Sequence, residues 1–457
     1  MKRIFVSVGL AALGASTVSM FADAFSPLDP GKPWSVSLSL RGFYTDNKDS
    51  VPHGRDGYGF DVNPIVRLHL ASPQTDFTAS YGYDAVYYDV PPAGNSSHFD
   101  QIHQFDLGLQ HQFSEKYSIS VNDTFVIGQD PDRLQQVGAI ADPVRVSGNN
   151  IHNYGSVVFD AQLTPLFGLE LGYDNSFWDY EAHKPGFQNW DGTFIDFPTV
   201  PPFRFFPHPS QITPSLAGQE NRIEQSVHLD THWSITSKTV LIVGYQFTDV
   251  EYTGNQAIQA INPTNSVGTG NMNVYKSSVR NSYSHYGYVG ATHSFLPSLT
   301  GSIKVGARYT DNYNDPNGTT TIAPYVNLNL NWTYAEESYI SLGFSHDRSS
   351  NDRAGATGTS IVDDSDTSVV FGTVHQRFTP KLYGTLTGTF QDAVINAPGN
   401  TLNGNEDLYY SMNIDLEYRF THFFSMHGGY SYDRVDAALA GGSYEKNTVY
   451  LGGTISY

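Results

Sequence analysis

The chain has 457 residues, a formal net charge of −20, 39% hydrophobic and only 15% charged residues. Soluble domains carry about 25% charged and 45–50% apolar residues, and disordered chains carry few aromatics; with 14% aromatic residues this chain fits neither pattern. It has no cysteine, which removes disulfides, thiolate metal sites and cysteine nucleophiles, and after residue 21 no apolar run reaches the ~18 residues of a spanning helix.

Residues 1–24 read as a secretory signal peptide. Lys2 and Arg3 form the positive start, Ile4 to Phe21 the apolar stretch, and Ala22-Asp23-Ala24 the cleavage site. Residues 25–33 are expected to be a periplasmic N-terminal segment and residues 34–457 a single barrel domain. The leader carries Lys2, Arg3 and Asp23, a net +1, so the remainder carries −21. Such acidity argues against a nucleic-acid partner.

From Trp34 onward the dominant period is two. Trp34, Val36, Leu38 and Leu40 alternate with Ser35, Ser37, Ser39 and Arg41; Phe105, Leu107 and Leu109 alternate with Asp106, Gly108 and Gln110. Val326, Leu328, Leu330 and Trp332 alternate with asparagines and a threonine, and Tyr410 to Phe420 repeats the pattern. Short connections fall at Ala71–Gln74, Ser114–Lys116, Thr164–Pro165, Thr236–Lys238, Leu296–Ser298, Ala335–Glu337, Thr379–Lys381 and Thr421–His422. Between them lie longer polar loops. Eight short turns alternating with nine longer loops predict about 18 strands (16–18) in an all-β, transmembrane, antiparallel up-and-down barrel, with short periplasmic turns and long extracellular loops.

Aromatics follow the turns. Phe113, Phe295, Phe378 and Phe420 close descending strands, and Tyr117, Phe167, Tyr339 and Tyr383 open the next ones, as an interfacial girdle requires. Val449, Leu451, Gly453, Ile455 and Tyr457 share one face of a last strand ending on an aromatic, the form that barrel assembly machinery recognises. Tyr44-Thr45-Asp46-Asn47 recurs as Tyr309-Thr310-Asp311-Asn312, and Pro64-Ile65-Val66-Arg67-Leu68 as Pro324-Tyr325-Val326-Asn327-Leu328. Proline cannot donate to a ladder, so Pro64 and Pro324 are expected at bulges near the outer rim.

Following the parity inward gives the candidate pore lining. The acids are Asp61, Asp84, Asp106, Asp160, Glu170, Asp174, Glu224, Asp230, Asp347, Asp415, Glu417 and Asp433. The bases are Arg41, Arg67, Arg222, Lys304, Arg308, Arg377 and Arg419. Twelve acids against seven bases leave an excess of five negative charges. The loop Glu181–Gln219 is rich in proline and aromatics; Trp190, Phe194, Phe197, Phe203, Phe205 and Phe206 are candidates for a constriction at the barrel mouth.

No phosphate-binding loop, nucleophile elbow or His-Glu-x-x-His motif is present, so no catalytic residues and no cofactor are assigned. His228 and His232, at i and i+4 on a strand, are roughly 13 Å apart and read as lumen-lining rather than as two ligands of one metal. Asp363, Asp364 and Asp366 read as a solvated acidic loop rather than a Ca²⁺ site.

The strand end Tyr44-Thr45-Asp46-Asn47, the segment Asn63-Pro64-Ile65, and Leu109 to Ser114 running into Tyr117 to Val121 resemble the "porin 2" family of outer-membrane β-barrel porins. That resemblance implies a location in the bacterial outer membrane and diffusion of small solutes; some relatives are associated with envelope polysaccharide export. The expected function is a passive channel for small hydrophilic solutes. The alternative is a structural or export-associated barrel serving a surface polysaccharide system, and an outer-membrane enzyme comes last. Expected partners are outer-membrane lipid and lipopolysaccharide, the assembly machinery through the Tyr457 strand, small solutes, and a second copy of the chain.

Overall fold

The computed structural model describes residues 32–91, 97–128, 150–181, 186–188, 194–195, 211–213, 216–254, 256–261, 273–315, 318–350, 362–398, 402–438 and 442–457. The expected signal peptide and most of the 25–33 segment lie outside them.

Eighteen strands form the barrel, in this order: β1 (Trp34–Thr45), β2 (Gly57–Ala71), β3 (Thr75–Tyr88), β4 (Phe99–Gln112), β5 (Tyr117–Gly128) and β6 (Asn150–Thr164). Then come β7 (Phe167–Tyr180), β8 (Arg222–Thr236), β9 (Thr239–Tyr252), β10 (Ser282–Leu296), β11 (Leu299–Asp311) and β12 (Thr320–Ala335). The last are β13 (Ser338–Ser350), β14 (Asp364–Arg377), β15 (Leu382–Asn396), β16 (Glu406–Arg419), β17 (Phe424–Asp436) and β18 (Tyr444–Ser456). Each pairs antiparallel with its sequence neighbours. The ladder closes where β1 meets β18, from Ser37 opposite Ser456 to Thr45 opposite Thr448. Beyond the seam, Val36 and Tyr457 exchange both backbone bonds, at 2.9 and 2.8 Å, and Lys32 Nζ lies 3.6 Å from the Tyr457 ring centre.

The eight short turns and nine longer connections fall where the alternation places them. The two faces also separate as expected. Leu107, Leu342 and Leu416 point outward at 42%, 46% and 49% exposure, on a surface of Leu, Val, Ile and aromatic side chains. The opposite parity carries Ser341, bonded to Asn331 across the inner face at 2.8 Å, and Asp415, which accepts from Tyr450 Oη at 2.9 Å. A soluble sandwich would bury its apolar face; here that face is the exposed one, as hydrocarbon surroundings require.

Three details differ from the sequence expectation. Phe113, Phe295, Phe378, Phe420 and Tyr117 do lie on the outer surface at the turns. Tyr339 and Tyr383 instead take the inward parity: Tyr339 stacks on His375 at 5.3 Å, and Tyr383 is buried with Arg419 over its ring at 3.9 Å. The first residue of a strand has the parity its register gives it, whatever its side chain.

Pro64 and Pro324 cause no register shift. Pro64 sits in mid-strand opposite Leu38, and the β2–β3 ladder skips Asn63 and Pro64 before resuming at Ile65 opposite Gly82. Pro324 pairs with Ala307 on one side, while the β12–β13 ladder begins only at Val326. The missing N–H is accommodated by a gap, not a bulge. True irregularities occur instead at the feet of β6, β8, β10 and β12, one residue before their turns.

Asp363 and Asp364 are not solvated. Both are buried at the outer rim, where Asp364 is held by the Arg348 guanidinium and accepts from Asn396 Nδ2 at 3.0 Å. Asp363 has less help. Burial, together with the neighbouring Asp364 and Asp315, pushes its carboxyl up to about 7. Because a raised acid favours folding only while protonated, its packing is firmest near pH 4 and weakens as pH rises through 7. Intrinsic-rate-corrected hydrogen exchange at the Thr319 and Asp363 amides is therefore expected to quicken between pH 5 and 8, and Asp363→Asn to abolish that dependence; an unchanged profile in the variant would refute it.

The face assignment has its own test. Leu107→Arg, Leu342→Arg or Leu416→Arg should cost about 2–4 kcal/mol near the bilayer midplane. Ser341→Arg on the inner face should cost much less. The measurement is a urea refolding titration in lipid vesicles, and equal losses on both faces would contradict the orientation.

Candidate functional site

The interior of the barrel is the candidate site. All nineteen candidate pore-lining residues take the inward parity of their strands, but the structure divides them between two different walls.

The wall from β6 to β13 is densely packed. Asp230 on β8 is fully buried and accepts from Tyr288 Oη on β10 at 2.5 Å and from Lys304 Nζ on β11 at 2.7 Å. Asp347 on β13 accepts from Tyr286 Oη on β10 at 3.1 Å and from Arg308 on β11 at 3.4 Å. Tyr325 on β12 stands between the two tyrosines, with ring centres 5.4 and 5.5 Å away, and Ile242 on β9 completes the cluster. Each polar contact reaches across one or two intervening strands. A second layer of side chains therefore lies over the inner surface of the sheet.

Glycine makes room for it. A Cβ at Gly244 would lie 2.2 Å from both the Asp230 carboxylate and the Tyr288 ring. One at Gly172 would strike the His228 imidazole at 1.9 Å. His228 lies in that space with Nε2 3.3 Å from Glu170 and Nδ1 3.6 Å from Asp174. Asp160, Glu170 and Asp230 face one another in adjacent register. Glu170, Asp230 and His232 bring one ligand-capable atom each within 4.8 Å of one another. Lys304 already occupies the charge-compensating position there, which disfavours a divalent cation. Above, Arg222 lies 4.0 Å over the Trp178 ring and pairs with Glu220 and Glu224 at 3.1 and 2.8 Å.

The wall from β14 through β18 to β4 is more open. Thr373, Thr387, Thr389, Ser411, Asn413, Ser431, Thr448, Ser39, Asn63 and Ser80 are only half-buried. Its charges are Arg41 with Asp61 (2.5 Å), Arg419 with Glu417 (2.9 Å), and Arg377 with the turn residues Glu336 and Glu337 (3.4 and 3.2 Å). Asp106 receives Ser80, Gln104 and Thr124. Asp433 accepts from Tyr409 Oη at 3.1 Å, and Arg67 and Asp84 lie on the same inward face. Sequence parity found these charges. It did not find Tyr286, Tyr288, Tyr325 or Ile242, which share that parity but look like lipid-facing residues by composition.

Of the constriction-loop candidates, Trp190, Phe197, Phe203, Phe205 and Phe206 lie outside the described residues. The backbone of Phe194 belongs to a two-residue strand paired with Phe187 and Gln188.

No curated protein matches the chain. Among solved structures it is similar to OccAB4 of Acinetobacter baumannii, with 11% identity and a TM-score of 0.41 over 94% of this chain and 100% of that one. It is similar to the siderophore receptor PirA of Acinetobacter baumannii, with 9% identity and a TM-score of 0.43 over 93% and 81% of the two chains. For OpdQ of Pseudomonas aeruginosa the values are 9%, 0.37, 93% and 98%. The match to a family lies further along the chain than the motifs that carry the sequence resemblance: residues 267–457, which hold the nine strands β10–β18, match the family described as "Putative beta-barrel porin 2".

Proposed function

We propose that the protein is a passive outer-membrane channel for small hydrophilic solutes, with its aqueous path along the β14–β18 and β1–β4 wall. One observation carries this reading: within a closed barrel the large buried inward side chains Ile242, Tyr286, Tyr288 and Tyr325 cluster on β9–β12, whereas the inward Ser, Thr and Asn side chains Thr373, Thr387, Asn413, Ser431, Thr448 and Ser39 are small and half-exposed. Barrels of about 16–18 strands enclose room for an aqueous channel. The Tyr286–Tyr288–Tyr325 layer takes part of that room, so the path is off-centre and narrower than the strand number alone implies. The proposed lining on the open side is Arg41, Asp61, Arg67, Asp84, Asp106, Arg377, Asp415, Glu417, Arg419 and Asp433. Asp160, Glu170, Asp174, Arg222, Glu224, Asp230, Lys304, Arg308 and Asp347 hold the packed side. No step in this reading is chemical, and it assigns no catalytic residue.

A second reading rests on the same packed layer. If the layer and the loops close the lumen, the barrel serves a structural or export-associated role. Planar-bilayer conductance separates the two. The purified barrel is expected to conduct, and Tyr286→Ala with Tyr288→Ala is expected to raise single-channel conductance by widening the path. A folded barrel that passes no current, before and after this change, would favour the closed reading.

Ion preference follows from the lining. Arg41, Arg222, Lys304, Arg308, Arg377 and Arg419 form ion pairs spread over both walls, so the excess of five acids is distributed along the lumen rather than concentrated at one ring. Low-dielectric walls strengthen that field. A mild cation preference is expected in KCl-gradient reversal potentials, fading above ~0.1 M salt, where screening reaches about 10 Å. Anion preference at low salt would show that the field is set elsewhere.

A further inference from the structure

One register row of the inner face is built only of hydroxyls and amides. Ser294 on β10 stands opposite Thr300 on β11, Thr300 opposite Asn331 on β12, and Asn331 opposite Ser341 on β13. The row continues, one Ser, Thr or Asn per strand, from Thr373 on β14 to Thr448 on β18 and across the seam to Thr45 on β1. Its members are half-buried or exposed up to the last, Thr45, which is buried at the outer rim. Ser341 Oγ donates to Asn331 Oδ1 at 2.8 Å, and the Thr373 and Thr387 hydroxyls lie 3.5 Å apart.

This ribbon spans the membrane. Ser294 lies near the periplasmic end of β10, and Thr45 is the last residue of β1 at the outer end. With strands about 4.8 Å apart and tilted near 40°, the row climbs roughly 28 Å, about the height of the lipid-facing band. It begins below the tyrosine layer, since Ser294 and Asn331 sit on the periplasmic side of Tyr288 and Tyr325 on the same strands, and then rises along the open wall.

The rows on either side are different. The one above passes through Phe371, Asp433 and Lys446; the one below passes through Asp415, Tyr450 and Phe43. Their carboxylates are engaged, Asp433 by Tyr409 Oη at 3.1 Å and Asp415 by Tyr450 Oη at 2.9 Å. Two aromatic rings border the ribbon. A Cβ at Gly343 would strike the Phe371 ring at 2.1 Å, and one at Gly59 the Phe43 ring at 2.2 Å, so each ring lies over the glycine of the next strand.

We infer that the ribbon is a track for small uncharged polyhydroxylated solutes, such as sugar alcohols and neutral sugars. The inference rests on the open channel proposed above and names its solute class. A hydroxyl both donates and accepts, and so does an amide. A polyol can therefore exchange water for wall groups at every strand, while its C–H faces pass the bordering rings. An ion finds no opposite charge along the row. Transit needs sites that are weak and repeated rather than one strong site, and neutral hydrogen bonds at strand spacing meet that need.

The test compares two uncharged solutes of similar size in proteoliposome swelling, corrected for protein-free vesicles. Xylitol is rich in hydroxyls and triethylene glycol is poor in them. Xylitol is expected to enter faster, and Thr373→Val with Thr387→Val and Thr448→Val to lower the xylitol-to-glycol ratio about fivefold. Valine keeps the shape of threonine and suits a strand, so KCl conductance and heat-modifiable migration should be unchanged. Thr78→Val, on β3 away from the row, should leave the ratio as it was. A conducting barrel that admits both solutes alike would overturn the track and leave the channel reading standing. So would a ratio that survives the triple change, or that falls equally with Thr78→Val. A folded barrel without KCl conductance would overturn both.

Discussion

Closure of the backbone hydrogen-bond ladder is the constraint on which everything else depends. In hydrocarbon an unpaired N–H or C=O costs several kcal/mol, and a sheet meets that demand only by having no edge. The β1–β18 seam is therefore the decisive pairing, and it is reinforced where its ladder ends. Val36 and Tyr457 exchange backbone bonds, and Trp34, Tyr457 and Lys32 pack over them. With the ladder closed, side chains are free to be apolar outside and polar inside, the reverse of a soluble core. The low charge and high aromatic content follow from this inversion.

Closure fixes parity, and parity fixes what a single sequence can reveal. Leu107 against Gly108, or Leu416 against Asp415, could be assigned without coordinates because one residue of shift would place a charge in lipid. The eight turns could be read because tight connections demand short polar segments. The inner layer could not. Tyr286, Tyr288 and Tyr325 are aromatic, and by composition they belong outside; only the register places them inward. The partners of Tyr288 and Tyr286, Asp230 and Asp347, lie on strands two and three away in the sheet, and alternation carries no information about contacts between strands that are not adjacent. Proline misled for a related reason. The lost N–H at Pro64 is accommodated by a gap in one ladder, while the other ladder keeps its register.

The layer also shows how charge can be held inside such a barrel. Lys304 and Asp230 are both buried, and leaving either without its partner would cost more than the pair contributes. The Tyr288 hydroxyl supplies a further bond to the carboxylate, and Gly244 gives the space in which it forms. Asp347 is held in the same manner by Tyr286 and Arg308. The repeated arrangement is a carboxylate from one strand with a tyrosine and a base from others. It cross-braces the sheet along β8–β13 and narrows the lumen there.

The same construction recurs on the opposite arc. Tyr450 on β18 donates to Asp415 on β16 at 2.9 Å, the Arg41 guanidinium on β1 lies 4.8 Å from the Tyr450 ring centre, and a Cβ at Gly429 on β17 would lie 2.4 Å from the Tyr450 hydroxyl. The neighbours there are short. Thr387, Asn413, Ser431, Thr448 and Ser39 stay half-exposed around it, whereas Tyr288, Tyr325 and Ile242 fill the space beside Asp230. The two arcs therefore differ in the size of the side chains beside a shared polar brace, not in having one. Enlarging the serines and threonines of the open arc would narrow the lumen without touching the ladder, because register alone sets which side chains point inward.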